Sequence, residues 1–114
     1  MLKHKIVLVP FPFDDLSAAT VRPALCLTNA IGPHQHVVVA FITSRLVASP
    51  LATDIILDST SSDFPATGLR VLSTLQLHRL MTVTVFLIRR ELGVLSPRLQ
   101  TEIDLHFRAL FELK

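Results

Sequence analysis

Tryptophan and tyrosine are missing from this chain of 114 residues, cysteine occurs once and glycine three times. A single cysteine rules out an internal disulfide, and Cys26, set in the apolar stretch 24–27, reads as a buried structural thiol. Three glycines leave no material for a glycine-rich phosphate loop, which excludes dinucleotide binding. Ser61, Ser62 and Ser96 sit in no recognisable nucleophile elbow. Without indole or phenol rings, stacking on a nucleobase falls to phenylalanine, and Phe13 is the best placed for it. Long hydrophobic runs are missing too. The longest, residues 6–13, holds two prolines and is far short of the roughly 20 residues that cross a bilayer. The basic start Met1-Leu2-Lys3-His4-Lys5 leads into Asp14-Asp15 with no small-residue cleavage site, which points to a cytoplasmic protein. His34-Gln35-His36 would place two imidazoles on one face of an extended segment, but no third ligand is near in sequence, so no metal and no small-molecule cofactor is expected. The net charge of +2 is well below that of a protein that coats a duplex, while a pI of about 9.2 leaves room for a local basic cleft.

What the chain does have is apolar material: half of its residues are hydrophobic and its mean hydropathy is +0.53. That is enough for one core, so residues 1–114 are expected to form a single domain. So small a chain leaves much apolar surface outside, and with no membrane span a homodimer is expected to cover part of it. Residues 6–11 and 22–28 are aliphatic and bounded by turn formers, which predicts two strands of a long-looped hairpin. Their connection, 12–21, carries Asp14, Asp15, Ser17 and Thr20 but no glycine, a polar excursion rather than a tight turn. Residues 37–42 are apolar on both faces, hence a central strand, and Thr43-Ser44 is its first polar step. A short strand is expected at 54–57, a polar loop at 59–62, and a strand with one open face at 72–82, where Leu80 breaks the alternation. Residues 85–92 fit a strand end or a helical turn. Ser96 is placed to cap a helix beginning at Pro97, with Leu99, Ile103, Phe107, Leu110 and Phe111 at helical spacing. These elements predict a mostly β (α+β) fold, a small closed SH3-like β-barrel with a C-terminal amphipathic helix.

The local strings are more specific. Ile6-Val7-Leu8-Val9-Pro10-Phe11-Pro12-Phe13-Asp14-Asp15-Leu16-Ser17, then Val21-Arg22-Pro23-Ala24-Leu25, resembles the opening hairpin of the MazF/PemK family of toxin endoribonucleases. Three later blocks agree in order: Phe41-Ile42-Thr43-Ser44 with the end of the third strand, Gly68-Leu69 and Leu77-His78-Arg79-Leu80 with a later barrel strand, and Leu92-Gly93-Val94-Leu95-Ser96 with the approach to the last helix. The resemblance covers nearly the whole chain. It implies a homodimeric toxin of a type II toxin-antitoxin system that cleaves single-stranded RNA, mRNA above all, and so stops translation and growth. It also implies a cognate antitoxin whose disordered acidic C-terminal tail covers the active site. By the same resemblance Arg22 and Thr43 form the catalytic core; Phe13, Ser17, Thr20, Ser44 and Gln76 are the candidate RNA-binding residues. The chain departs from the family at His4-Lys5, where members commonly carry a Gly-acidic pair, and at Gln76 and His78, where some carry an Arg and a carboxylate. Two alternatives accompany the resemblance: a toxin of the same fold that poisons DNA gyrase through its C-terminal helix, and a decayed member that binds antitoxin but cuts nothing.

The chemistry accounts for the two catalytic residue types. RNA carries its own nucleophile, the 2′-hydroxyl, so an enzyme need only align it, stabilise the phosphorane and manage two protons. A guanidinium at Arg22 matches two phosphate oxygens at once, and Thr43 adds a hydroxyl donor. The structural alternatives are an ion pair of Arg22 with Asp14 or Asp15 and a local strand-end role for Thr43 and Ser44.

Overall fold

A computed structural model of the chain describes residues 1–11, 20–45 and 49–114, with Phe11 and Thr20 described by their backbone alone. Aliphatic and β-branched residues build β1 (Lys5–Phe11), β2 (Thr20–Cys26) and β3 (His36–Thr43), followed by the short β4 (Asp54–Leu57), the one-turn helix α1 (Phe64–Thr67), the long β5 (Ser73–Thr84), a 3₁₀ turn at Val85–Leu87, β6 (Arg90–Val94) and α2 (Pro97–Leu110). The six strands form one antiparallel sheet in the order β4-β5-β3-β2-β1-β6, curled into a half-barrel. The mostly β fold with a closing helix is therefore the one expected. Among the described residues, no helix is long and apolar enough to cross a membrane.

The opening hairpin pairs Ile6 with Leu25 and Val9 with Arg22. β2 ends at Cys26, two residues before the expected end, but Leu27 N still donates to Val38 O (2.8 Å) and Val38 N to Thr28 Oγ1 (3.2 Å). The polar connection expected over 12–21 falls mostly on 12–19, outside the described residues. β3 lies between β2 and β5 and is buried on both faces, the central strand that its unbroken apolar run predicts. Cys26 is fully buried, and that burial pushes its thiol up to about 11.

Two apolar layers cover the faces of the sheet. Ile6, Leu25, Ala40, Ile42, Leu75 and Leu77 pack on one side with Leu99 and Ile103 of α2 and Phe64 of α1. Val7, Val9, Ala24, Cys26, Val39, Phe41 and Val83 pack on the other. β5 takes part in both because it bulges: Ala40 faces Leu80 while the next residue, Phe41, faces Gln76, which leaves residues 77–79 opposite no partner on β3. The bulge is the physical reason that Leu80 breaks the alternation. It moves the inward side of β5 from the Leu75 and Leu77 layer to that of Met81 and Val83.

α2 starts as its sequence predicts, with the Ser96 side chain accepting from Leu99 N (3.3 Å) and Pro97 in the first turn. Leu99 and Ile103 are buried, whereas Phe111 lies beyond the last helical residue, stacks on Phe107 and is 54% exposed. Arg98 in the first turn donates through Nε (2.7 Å) and Nη2 to Asp63, which holds that carboxyl below the usual range and ties α2 to the start of α1. α1 itself is not predicted by the sequence. Its buried Thr67 donates to Phe64 O (2.6 Å) and accepts from Leu69 N (3.1 Å), and Gly68 ends it at a left-handed φ of 73°. A Cβ at Gly68 would overlap the Leu92 carbonyl, and one at Gly93 would overlap the carbonyls of Ala66 and Thr67, so α1 and β6 touch backbone to backbone. At the start of β1, His4 holds φ at 75°, the left-handed conformation that a glycine reaches without strain. Its N–H donates to Cys26 O (2.8 Å) and its carbonyl accepts from Leu95 N (2.9 Å). The left-handed turn into β1 is thus made by a histidine.

Candidate functional site

Arg22 stands on β2 two residues before Ala24, and Ala24 pairs with Phe41 on β3. Continuing that antiparallel register places Arg22 opposite Thr43. From the other side of β3, β5 brings Gln76 against Phe41 and Thr74 against Thr43. The side chains of Arg22, Thr43 and Gln76 meet around a cavity of about 110 Å³, completed by Phe41, Ile42, Arg45 and Arg79. An open cleft of this size suits a single phosphodiester group.

Three of the seven lining residues are arginines, and no carboxylate lines the cleft among the described residues. Like charges so concentrated on a chain with a net charge of only +2 repel one another, and an anion between them relieves that repulsion. Thr43 Oγ1 accepts from the backbone N–H of Arg45 (3.2 Å), which fixes the hydroxyl oxygen and leaves its proton to donate. Arg79 belongs to the β5 bulge. Its guanidinium carbon lies 6.0 Å from the centroid of the Phe41 ring, which is buried, and its Nη1 donates to Gln76 Oε1 at 3.4 Å, the long end of the hydrogen-bond range.

Of the sequence candidates, Arg22, Thr43 and Gln76 are brought together in the cleft. Ser44 follows Thr43 as an exposed residue beside the cleft rather than among its lining. Thr20 opens β2 opposite Phe11, and Phe13 and Ser17 lie outside the described residues, as do Asp14 and Asp15. Four lining residues were not among the candidates, Phe41, Ile42, Arg45 and Arg79, and the last two are charged. Each of these two adjoins a family-like string, Arg45 directly after Thr43-Ser44 and Arg79 within Leu77-His78-Arg79-Leu80, but only the bulge shows which residue of the second string faces the cleft. His78 does not line it; its Nδ1 shares a hydrogen bond with Thr53 Oγ1 (2.8 Å) between β5 and the start of β4. The rings of His34 and His36 stack with centroids 5.8 Å apart, and among the described residues no three His, Cys, Asp or Glu side chains gather as metal ligands.

A family model described as the PemK-like, MazF-like toxin of type II toxin-antitoxin systems matches residues 3–111. No curated protein matches the chain significantly. Among solved structures, the Mycobacterium tuberculosis toxin MazF-mt6 superposes with a TM-score of 0.73 at 24% identity, covering 96% of this chain and 98% of that one. An endoribonuclease in complex with its cognate antitoxin, from a mycobacterial species, superposes with a TM-score of 0.71 at 19% identity, covering 100% of this chain and 97% of that one. At those identities the superpositions establish a shared fold.

Proposed function

Because this chain belongs to the PemK-like, MazF-like toxins of type II toxin-antitoxin systems, we propose that it is an endoribonuclease that cuts single-stranded RNA, chiefly mRNA, without a metal ion and thereby stops translation and growth. The observation that carries the reading is the convergence of Arg22, Thr43 and two further guanidinium groups on one phosphate-sized cleft. The 2′-hydroxyl of the RNA attacks the adjacent phosphorus. Arg22 binds two non-bridging oxygens of the phosphorane through its planar fork, and Thr43 donates its proton to the same phosphate. Arg45 and Arg79 add positive charge at the rim. The upstream product ends in a 2′,3′-cyclic phosphate and the downstream product begins with a 5′-hydroxyl.

Purified protein incubated with a mixed-sequence single-stranded RNA in excess EDTA is expected to cut it as fast as with magnesium, because the described lining offers no carboxylates to hold a pair of metal ions. Strict dependence on added magnesium or manganese would overturn the metal-free mechanism. Intact RNA under every condition would leave the gyrase-poisoning or decayed alternatives standing.

Residues 1–114 act in this reading as one cytoplasmic toxin domain that pairs with itself. Exposed apolar side chains support the pairing: Phe86 is 79% exposed, and Leu105, Phe111 and Leu113 of the α2 region are all more than half exposed. Light scattering at micromolar concentration is expected to give the mass of a dimer, and a monomer would contradict it. The cationic cleft also suits the acidic, disordered C-terminal tail of a cognate antitoxin, which would neutralise Arg22 and its neighbours directly.

A further inference from the structure

The polar groups described in the lining of the cleft are mostly donors. Guanidinium groups have no acceptor, so Arg22, Arg45 and Arg79 can only donate. Thr43 Oγ1 already accepts from Arg45 N. Gln76 has one carbonyl and one amide group, and which of them faces Arg79 follows from the same chemistry: an arginine can be met only by an oxygen. Oε1 therefore takes the Arg79 Nη1 hydrogen bond, and Nε2, a donor, is what Gln76 has to offer a ligand. Arg79 is itself held over the Phe41 ring and carried on the β5 bulge, a device that re-aims side chains beside functional sites.

Resting on the RNA-cleaving reading above, we infer that the Gln76–Arg79 pair selects the base next to the bound phosphate, favouring guanine and uracil over adenine and cytosine. Guanine presents O6 and N7 and uracil presents O4, all acceptors that a row of donors can meet. Adenine and cytosine present amino groups at the equivalent positions, where donor would face donor. Both amino bases keep other acceptors, so the preference is partial, roughly tenfold at one nucleotide position.

The test uses a randomised single-stranded RNA pool cut in EDTA, with the 5′-hydroxyl ends sequenced. A deoxynucleotide pool of the same randomised design, which has no 2′-hydroxyl to attack, is bound in parallel. The wild-type chain is expected to show the tenfold carbonyl-base preference at one position in both pools. Gln76→Glu replaces the amide donor by acceptors and is expected to reverse the preference. Arg79→Met, at an exposed position, frees Oε1 so that the carboxamide can turn either way, and is expected to reduce the preference to about twofold or less. Ratios between bases within one pool are untouched by a uniform loss of charge or of folded protein. Cleavage with no carbonyl preference, or with a preference that survives Gln76→Glu, overturns this inference and leaves the nuclease reading intact. Selective binding without cleavage supports the inference and removes the nuclease reading; no binding and no cleavage removes both.

Discussion

Arg22→Lys is expected to slow RNA cleavage by roughly 30- to 1,000-fold, a loss of about 2–4 kcal/mol of transition-state stabilisation. Lysine keeps the positive charge but presents a point charge where arginine presents a fork, so one of two aligned hydrogen bonds to the phosphorane is lost along with its geometry. The position on β2 across from Thr43 is built by strand pairing and does not adjust to a shorter reach. Arg45 and Arg79 in the same cleft still attract RNA, so the loss is expected in turnover more than in binding. Thr43→Ala removes a single neutral donor and is expected to cost about 1 kcal/mol, or roughly fivefold. Single-turnover rates for each variant, with folding checked by circular dichroism and product ends mapped by kinase labelling, make the comparison. Near-native turnover of Arg22→Lys, or a 5′-phosphate on the downstream product, would mean that the residue or the chemistry is misassigned.

Gly68→Ala is expected to destabilise the fold by about 2–4 kcal/mol, which lowers the melting temperature by roughly 10–25 °C. Two costs combine. The left-handed φ of 73° costs any L side chain about 1 kcal/mol. The new methyl group would then overlap the backbone carbonyl of Leu92, which cannot swing aside as a side chain would, so α1 must lift from β6. Gly32 is an internal control. It has nearly the same φ, 71°, but no atom lies within 4 Å of where its Cβ would be. Gly32→Ala should therefore lose only the backbone share, about 1 kcal/mol. Thermal melts of the two variants separate the terms, and equal losses would show that the contact between α1 and β6 contributes nothing.

The strands that read most clearly from the residues were those whose faces are uniform. β3 is apolar from Val37 to Ile42 because both its faces are covered, and β4 spans the expected 54–57. The cap at Ser96 and Pro97 is equally local and equally legible. What could not be read depended on contacts distant in sequence. The bulge in β5 lies within its pairing with β3, which holds Thr74–Gln76 in one register and Leu80–Thr84 in another while β4 pairs with Ser73–Gln76 from the other side, and no single window of the chain contains these constraints. Arg79 owes its place in the cleft to that bulge and was missed for the same reason. α1 is four residues of Phe-Pro-Ala-Thr with no periodicity to detect, and it is held in place by Gly68 and Gly93, which meet only when the sheet has formed. Gly68-Leu69 and Leu92-Gly93 each stood out as family-like strings; their shared reason is that they are two sides of one contact.

The pairing of β1 with β6 sets an order on how the molecule can be made. Lys5 pairs with Val94, so β1 leaves the ribosome well before the strand it pairs with, β6. β1, β2 and β3 can zip together as successive antiparallel neighbours, because loop-closure entropy grows only slowly with loop length, long before that partner exists. Every described residue of the cleft lies on β2, β3, β5 or the residues just after β3. The cleft-bearing strands are therefore complete while the outer edge of β1 is still a row of unpaired backbone groups and the layer beneath α2 is still open to water. Until residues 90–110 arrive, that edge is a template for another chain, and translation that halts there leaves a sticky half-barrel with its cleft strands already in hand.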